Sequence, residues 1–432
     1  MFVKLCIERI GQIGVEEMGA SPTRSGLDAT LMKKSYLLPI LAGLLISLPL
    51  FAGETSVGSK SPPMGWNSWN WHGKKDINET VVRETIDAMV EHGLRDAGYD
   101  IVVIDGGWRG TELGPNGELT VHAERFPNGI KPLAEYAHEH GMKLGLHTVP
   151  GTHDCGGDAV GGYGHEEVHV AQFAKWGIDF VKLDRCQFKE VDGWNEPLIE
   201  EVYRNWARLM SESGHPMMLS ISAYEYRDWY GEISAMARTT LDIVARGKGG
   251  AVFERETPTH NHISVMRVAD LNNPHAAEAG DGYWNDPDML VTGEQGLTDA
   301  QQEAHFALWC VMSSPLMLGN DPREMTEFEL DLITNAVAIG INQDPTEQGR
   351  RIAKSGAAEV WVKNLEGNRL AVLLLSRATE KMAEIQFDAS AMLKGVKFRI
   401  TDVFEKFATD SDGLLDVELG PQSAKFFLVE GR

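Results

Sequence analysis

The sequence predicts an α/β protein, a (β/α)8 TIM barrel followed by a smaller C-terminal antiparallel β-domain. From Pro62 onward, short apolar segments alternate with amphipathic segments of helical period, which is typical of a parallel sheet built from βα units. Eight such units fit into residues 59–344, a span of ordinary size for this barrel. After Asp344-Pro345 the helical pattern stops, and short strands separated by turn residues occupy residues 346–432.

Eight apolar segments are the expected barrel strands. They are Met64–Asn70, Ile101–Ile104, Lys143–His147, Phe180–Cys186, Met217–Ser222, Ala237–Ile243, Trp284–Leu290 and Leu316–Asn320. Apolar positions three and four residues apart predict helices between them, one with Asp76 and Glu79 at capping-box spacing and others at Pro132–His140, Glu166–Trp176, Glu196–Ser213 and Asp299–Met312. A doubly wound open sheet is the alternative, but no glycine-rich dinucleotide fingerprint follows the first strand.

The C-terminal region predicts an antiparallel β-sandwich, with Glu366-Gly367-Asn368 as a hairpin turn. Its expected strands are Val360–Leu365, Leu370–Ser376, Met382–Phe387, Lys397–Phe404, Leu414–Leu419 and Ala424–Val429. No exposed row of aromatic residues is evident in these strands. We therefore expect this domain to pack against the barrel rather than to bind a ligand of its own.

The N-terminus has two unlike parts. Residues 1–31 show neither a targeting pattern nor a folded element, and we expect a non-native or untranslated leader there. Residues 32–52 have a basic start, an apolar stretch at Tyr36–Phe51 and a small residue at the end, which are the three parts of a bacterial-type signal peptide. An uncleaved membrane anchor is the alternative. The pattern predicts translation from Met32, export to the periplasm or the medium, and no membrane contact after cleavage.

The net charge limits the class of partner, and the cysteines indicate which residues can form a disulfide after export. The 432 residues carry a formal net charge of −23, which disfavours nucleic acid and anionic membranes and fits a neutral ligand, while a homo-oligomer is left open. Four cysteines are present, and Cys6 is lost with the leader. Of the remaining three, Cys310 lies in an apolar run and is the expected free thiol, so Cys155 and Cys186 are the expected disulfide.

The polar residues at the strand ends are the candidate site, because barrel enzymes carry their chemistry at the C-terminal ends of the strands. They are Trp66, Asp105, His147, Lys182, Asp184, Ser222, Arg238, Asp242, Asp286 and Asp288. Carboxylates accept hydrogen bonds from hydroxyl groups, and indole faces stack on the apolar side of a pyranose ring. With no histidine-rich metal pattern, the set favours an uncharged, hydroxyl-rich ligand and predicts neither a metal ion nor a cofactor.

Two pairs within this set point to nucleophile and acid chemistry. Lys182 and Asp184 share a strand face, and a carboxylate beside an ammonium group stays ionised, as a carboxylate nucleophile requires. Arg238, Thr240 and Asp242 alternate in the same way and would share a face of the sixth strand. An ordinary ion pair is the alternative for both. Glycoside cleavage nevertheless needs two such carboxylates, one to attack the anomeric carbon and one to protonate the leaving oxygen.

Five motifs in order carry a resemblance over residues 61–432. They are Pro62–Trp69 (PPMGWNSW), Phe180–Cys186 (FVKLDRC), Arg238–Ile243 (RTTLDI), Trp284–Leu290 (WNDPDML) and Gly340–Pro345 (GINQDP). They resemble the motifs of glycoside hydrolase family 27, which contains α-galactosidases and α-N-acetylgalactosaminidases. The resemblance implies a retaining mechanism with Asp184 as nucleophile and Asp242 as acid/base, at a carboxyl separation of about 5 to 5.5 Å. It also implies a disulfide beside the site and sugar contacts from Trp66, Asp105, Lys182, Arg238 and Asp288.

Three positions depart from the family pattern. Asp105-Gly106 stands where α-galactosidases usually carry two adjacent acids, His147 stands in place of a tyrosine, and the loop after the fifth strand is Ser222–Glu225 (SAYE). We expect His147 and Ser222 to line the sugar site, although a histidine at a strand end is more often structural than catalytic, and no histidine base lies near Ser222. Glu225 is a candidate replacement for the missing acid.

The expected function is that of an exported retaining exo-α-glycosidase that removes terminal α-linked galactose from an oligosaccharide or polysaccharide. The nearest alternatives keep the mechanism and change the sugar to N-acetylgalactosamine, to an α-glucoside as in isomalto-dextranase-type relatives, to β-L-arabinopyranose or to a modified galactose. A carbohydrate-binding protein without catalysis is the alternative of another class. The presence of both Asp184 and Asp242 argues against it.

Overall fold

A computed structural model describes residues 58–157, 159–186, 195–245, 250–255 and 262–432, so the predicted leader and signal peptide lie outside the described residues. The strands are β1 (Met64–Asn67), β2 (Ile101–Ile104), β3 (Arg109–Leu113), β4 (Leu119–Val121), β5 (Lys143–Thr148), β6 (Phe180–Asp184), β7 (Met218–Ser222), β8 (Met236–Arg238), β9 (Asp242–Ile243), β10 (His262–Ile263), β11 (Trp284–Asp286), β12 (Leu316–Leu318), β13 (Arg350–Ser355), β14 (Ala358–Leu365), β15 (Arg369–Ser376), β16 (Ala383–Asp388), β17 (Phe398–Asp402), β18 (Phe407–Ser411), β19 (Leu414–Leu419) and β20 (Ser423–Gly431).

The helices lie mainly between the barrel strands. They are α1 (Trp69–Asp76), α2 (Glu79–Glu91), α3 (Leu94–Ala97), α4 (Lys131–Glu139), α5 (Glu166–Trp176), α6 (Glu196–Glu212), α7 (Val265–Asn272), α8 (Asp299–Val311), α9 (Glu327–Ile333) and α10 (Ala336–Gln343), with short 3-10 segments at Tyr230–Glu232, Asn273–Glu278 and Ala389–Ala391. Within the described part of the chain, no helix is long and apolar enough to cross a membrane.

Eight parallel strands form the barrel in the order β11-β8-β7-β6-β5-β2-β1-β12. The two ends of this sheet meet just beyond β11, where Leu290 forms a parallel bridge with Leu318 and its N–H donates to the carbonyl oxygen of Met317. The predicted barrel is therefore confirmed, and the open doubly wound alternative is wrong.

The sixth barrel strand is shorter than the sequence predicts, which changes the geometry of the site. It ends at Arg238, and Asp242 belongs to β9, which pairs with His262 of β10 outside the barrel. The Arg238 guanidinium donates to the carbonyl oxygen of Thr240, 3.1 Å away, at the point where the chain leaves the barrel. The prediction that Arg238 and Asp242 share a face of one strand is therefore wrong.

Helix ends are set by side-chain caps. The start of α2 is capped by Asn78, whose Oδ1 accepts from the N–H of Val81, rather than by Asp76 as predicted. Helix α8 starts with a capping box between Thr298 and Gln301, because each side chain bonds the backbone N–H of the other.

The C-terminal domain has one six-stranded antiparallel sheet, β13-β14-β15-β20-β17-β18, and one two-stranded sheet, β16-β19. Strands β13 and β18 were not predicted. Along β14, Val360 and Val362 lie in the core between the two sheets, whereas Trp361 joins the apolar cluster of the barrel. Because side chains alternate along a strand, both faces of β14 and β15 are buried, which explains their continuous apolar sequence.

A buried ion network joins the two domains. Glu359 on β14 is fully buried and accepts hydrogen bonds from Arg351 Nη1 at 2.9 Å and Arg377 Nη1 at 3.0 Å. The same Arg377 guanidinium contacts Asp270 of α7 at 2.9 Å and Glu254 at 2.6 Å. Arg377 therefore neutralises carboxylates from both domains.

Replacing Arg377 with Leu should lower the free energy of unfolding by about 3 kcal/mol, because the buried Glu359 and its neighbours lose a shared cation. Urea denaturation measures the change. Arg399 on β17 is exposed, and Arg399→Leu is the matched control, expected to change stability by less than about 0.5 kcal/mol. Equal stabilities for the two variants would show that the network does not hold the domains together.

Candidate active site

A cavity of about 590 Å³ opens at the C-terminal ends of the barrel strands. Seven of the nine predicted catalytic and sugar-contact residues line it, namely Asp105, His147, Lys182, Asp184, Arg238, Asp242 and Asp288. The structure thus brings together side chains from the ends of five barrel strands, with Asp242 from the start of β9. Trp66 and Ser222 are the two that do not line the cavity.

Lys182 is the cation at the base of the cavity. Its Nζ donates to Asp105 Oδ2 at 2.8 Å, and Asn67 Nδ2 donates to the same oxygen at 3.0 Å. Burial alone would raise the pKa of Asp105, but the Lys182 charge holds that pKa well below its ordinary value. Burial would also lower the pKa of Lys182, yet Asp105 and Asp184 raise it above its ordinary value. Asp105 and Lys182 therefore both stay charged.

Asp184 is buried at the end of β6, and both of its oxygens have close neighbours. Tyr224 Oη donates to Oδ1 at 2.7 Å, Ser222 Oγ donates to Oδ2 at 3.2 Å, and His147 Nε2 lies 3.8 Å from Oδ2. Burial would raise the pKa of Asp184, but His147 and the charge of Lys182 outweigh it, so that the pKa lies below its ordinary value. Asp184 is an ionised carboxylate held in one orientation.

Asp242 has a different environment, because 42% of its side chain is exposed. Arg238 Nη1 lies 3.2 Å from Asp242 Oδ1, and Arg238 Nη2 lies 3.0 Å from Asp288 Oδ2. Asp288 Oδ2 also accepts the N–H of Ile243 at 2.8 Å. Asp288 and Arg238 therefore fix the short segment that carries Asp242 to the rim of the barrel.

Trp66 does not contact the cavity, so its predicted sugar contact is wrong. The side chain is fully buried, and its indole N–H donates to the carbonyl oxygen of Asn320 at 2.7 Å. Strand β1 ends at Asn67, and the chain turns into α1, whose Trp69 and Trp71 line the cavity instead. The tryptophan that ends the same motif, Trp69, is 41% exposed and is the available stacking surface.

Neither Ser222 nor Glu225 lines the cavity, so neither lies where it could contact a sugar there. Ser222 is buried below the cavity and touches Asp184 rather than the cavity space. The Glu225 carboxylate is 62% exposed and pairs with Arg185 at 3.1 Å and Arg227 at 2.9 Å. It does not line the cavity, so the idea that Glu225 replaces the missing acid fails.

The position of the missing acid, Gly106, is covered by an indole. A Cβ atom at Gly106 would lie 3.2 Å from Trp69 Cζ3, closer than ordinary van der Waals contact. Trp69 therefore occupies the space beside Asp105 that a larger residue would need. Neither Trp69 nor Tyr224 was predicted as a site residue, although Trp69 ends the first motif of the resemblance and Tyr224 lies in the loop Ser222–Glu225, which departs from the family pattern.

A disulfide joins Cys155 and Cys186 at the edge of the cavity, as the cysteine count predicts. Cys186 follows Asp184 by two residues, so the crosslink ties the end of β6 to the loop after β5. Cys310 is free and buried, and burial raises the pKa of its thiol. In the described residues, the one close cluster of three potential metal ligands is Cys155, Asp184 and Cys186, and its sulfurs form the disulfide.

Asp286 is a further buried carboxyl group next to the site. It ends β11, and its Oδ1 accepts the N–H of Asp288 at 2.8 Å. Burial raises the pKa of Asp286 to about 6, although the charge of Arg238 acts in the opposite direction. The carboxyl therefore takes up a proton on folding between its ordinary pKa of 3.8 and about 6.

Asp286→Asn should stabilise the protein relative to the wild type increasingly as the pH rises from 4 to 7. In this window the folded wild type binds more protons than the unfolded chain, so its stability falls with rising pH, and the amide has no such dependence. Urea denaturation at pH 4, 5, 6 and 7 measures the difference, and the amide oxygen can still accept from Asp288. A difference in stability independent of pH would contradict the raised pKa.

Comparisons with known proteins agree with this geometry. The family profile described as alpha galactosidase A matches residues 61–344, and the profile of the alpha galactosidase C-terminal beta sandwich domain matches residues 355–429. An α-galactosidase of Cyamopsis tetragonoloba is 34% identical over 389 residues, which are 88% of this chain and 89% of that protein.

Solved structures share the fold. The crystal structure of α-galactosidase I from Mortierella vinacea superposes with a TM-score of 0.80 at 26% identity, covering 86% of this chain and 98% of that chain. A family 27 β-L-arabinopyranosidase from Geobacillus stearothermophilus in complex with arabinose has a TM-score of 0.75 at 21% identity, covering 88% of this chain and 100% of that chain. The chain therefore belongs to the α-galactosidase family of glycoside hydrolases, family 27.

Proposed function

We propose that this glycoside hydrolase is an exported retaining exo-α-glycosidase that releases terminal α-D-galactose by double displacement. The observation that carries the proposal is the pair of unlike carboxylates on one cavity, the buried and ionised Asp184 and the half-exposed Asp242. A fixed anion suits attack on carbon, and an exposed carboxyl suits exchange of protons with a leaving group and with water.

In the first step an Asp184 oxygen bonds to the anomeric carbon while the bond from that carbon to the leaving oxygen breaks. Asp242 in its acid form gives its proton to the leaving oxygen, so that a neutral alcohol departs. In the second step Asp242, now a carboxylate, takes a proton from water as the water oxygen bonds to the anomeric carbon. The bond to Asp184 breaks, and both carboxyl groups return to their starting forms.

The remaining charged residues suit the recognition of sugar hydroxyls. Asp105 and Lys182 lie at the base of the cavity as a charged pair, with one acceptor group and one donor group. Trp69 offers an exposed indole face for the apolar side of a pyranose. We therefore propose that the ring of the terminal sugar lies between Trp69 and the Asp105-Lys182 pair.

The choice of galactose rests on the named relatives, and the site itself allows close variants. Gly106 and His147 differ from the family pattern at the cavity wall, and a change in buried hydrogen-bonding partners can alter discrimination by orders of magnitude. N-acetylgalactosaminide, α-glucoside, β-L-arabinopyranoside and modified galactosides are therefore the second candidates, with the same two carboxylates.

Export is part of the proposal. The segment at residues 32–52 has the composition of a signal peptide, and a disulfide persists only outside the reducing cytosol in most organisms. An oligosaccharide or polysaccharide outside the cytoplasm is the corresponding substrate.

Asp184→Ala should lower kcat by a factor of at least about 10³, because the variant lacks the carboxylate oxygen that forms the covalent intermediate in the proposed mechanism. Hydrolysis of an aryl α-galactoside measures it, and circular dichroism checks that the variant folds. Glu225→Gln, which removes an exposed carboxylate outside the cavity, is the control and should keep kcat within about twofold. Unchanged turnover in Asp184→Ala would reject the nucleophile assignment, and a wild type that binds sugar without turnover would favour the binding-protein alternative.

A panel of aryl glycosides identifies the sugar. We expect the highest kcat/KM on α-D-galactoside, compared with α-N-acetyl-D-galactosaminide, α-D-glucoside and β-L-arabinopyranoside under the same conditions. Turnover of another member without turnover of the α-galactoside would reject galactose and leave the mechanism in place. Nuclear magnetic resonance of the first product anomer tests retention independently.

A further inference from the structure

Tyr224 makes a short contact with the carboxylate of Asp184. Its hydroxyl donates to Oδ1 at 2.7 Å, whereas Ser222 Oγ is 3.2 Å from the other oxygen. Tyr224 also lines the cavity, whereas Ser222 lies beneath it. The tyrosine hydroxyl thus meets one oxygen of the nucleophile on the side where a substrate would arrive, while His147, which also lines the cavity, has its Nε2 3.8 Å from the other oxygen.

The backbone of Tyr224 is held in an unfavourable conformation. Its φ is +67°, a left-handed value that costs a non-glycine residue free energy and persists only where surrounding contacts enforce it. The contacts are present, since the Arg185 guanidinium lies 5.5 Å from the ring centroid and the sulfurs of Cys155 and Cys186 lie 3.9 and 3.8 Å from the hydroxyl. These contacts therefore keep the Tyr224 hydroxyl at Asp184 although the backbone of the loop after β7 is strained there.

The hydroxyl acts as a donor and not as a base. Burial, together with the charges of Asp184 and Asp242, raises the pKa of Tyr224 above its ordinary value, so the proton stays on the phenol oxygen. The family pattern places a tyrosine at the end of the third strand, where this chain has His147. A tyrosine hydroxyl reaches the site here from a different loop.

We propose that Tyr224 positions and stabilises the nucleophile, by donating its hydroxyl proton in a hydrogen bond to Asp184 Oδ1 whenever that carboxylate is charged. The inference rests on the proposed double displacement. In the second step the bond between Asp184 and the anomeric carbon breaks and the carboxylate regains its negative charge. The Tyr224 hydroxyl meets that developing charge, so its largest effect falls on release of the glycosyl group.

Tyr224→Phe, assayed with an activated aryl glycoside of the sugar that the wild type prefers, tests this role. We expect kcat to fall by about 10-fold to 100-fold and KM to fall with it, because the covalent intermediate accumulates. The acid limb of kcat/KM should also move to higher pH, since loss of a donor to the carboxylate raises the pKa of Asp184.

Tyr226→Phe is the matched control, because it removes the same hydroxyl two residues away, where the ring stacks on His275 at 4.1 Å and does not line the cavity. Thermal unfolding of both variants establishes that they fold. An unmoved acid limb, or a rise in KM at unchanged kcat, would overturn the role of Tyr224. A wild type without glycoside turnover would instead reject the proposed function, so the two failures are distinguishable.

Discussion

The site depends on one buried cation, Lys182, shared between Asp105 and Asp184. A charge inside a protein is costly unless it is paired. Here Lys182 keeps Asp105 ionised, His147 and Lys182 together keep Asp184 ionised, and the two carboxylates keep Lys182 charged. Strand register fixes the arrangement, since Lys182 lies opposite His147 of β5 and Asp184 lies opposite Ser222 of β7. The parallel barrel thus sets the spacing of the charges before any ligand is present.

Much of the fold and most of the site could be predicted, because parallel strands collect their C-terminal residues at one face whatever the loops do. The errors fall where a strand stops. The sequence placed Trp66 among the residues at a strand's C-terminal end and Asp242 on the same strand face as Arg238, but β1 ends at Asn67 and β8 ends at Arg238. Backbone hydrogen bonds between distant segments decide those ends, and a single sequence does not contain them. Tyr224 escaped prediction for the related reason that its left-handed backbone has no local signature outside glycine and asparagine.

The C-terminal domain packs against helix α8, and this helix in turn contacts the site. Helix α8 carries Trp309, whose indole N–H donates to the carbonyl oxygen of Asp288 at 2.8 Å, and Asp288 in turn holds Arg238. The same apolar cluster includes Trp309 of α8, Trp361 of β14 and Phe426 of β20, and α8 contacts both of these strands. The second buried face of β14 therefore belongs to the contact between this sheet and the helix that supports the segment carrying Asp242.

Because the barrel strand β8 ends at Arg238, the fold holds Asp184 and Asp242 in different ways. Asp184 belongs to a strand that is hydrogen-bonded on both sides, and a disulfide crosslinks the chain two residues later at Cys186. Asp242 belongs to a two-residue strand outside the barrel wall, tied to it by Arg238 and Asp288. In a double displacement the nucleophile forms and then breaks a bond to one atom, the anomeric carbon. The acid/base protonates the departing oxygen and then takes a proton from the arriving water. In the proposed mechanism the first task would fall to the carboxylate within the barrel wall, and the second to the carboxylate on the short segment outside it.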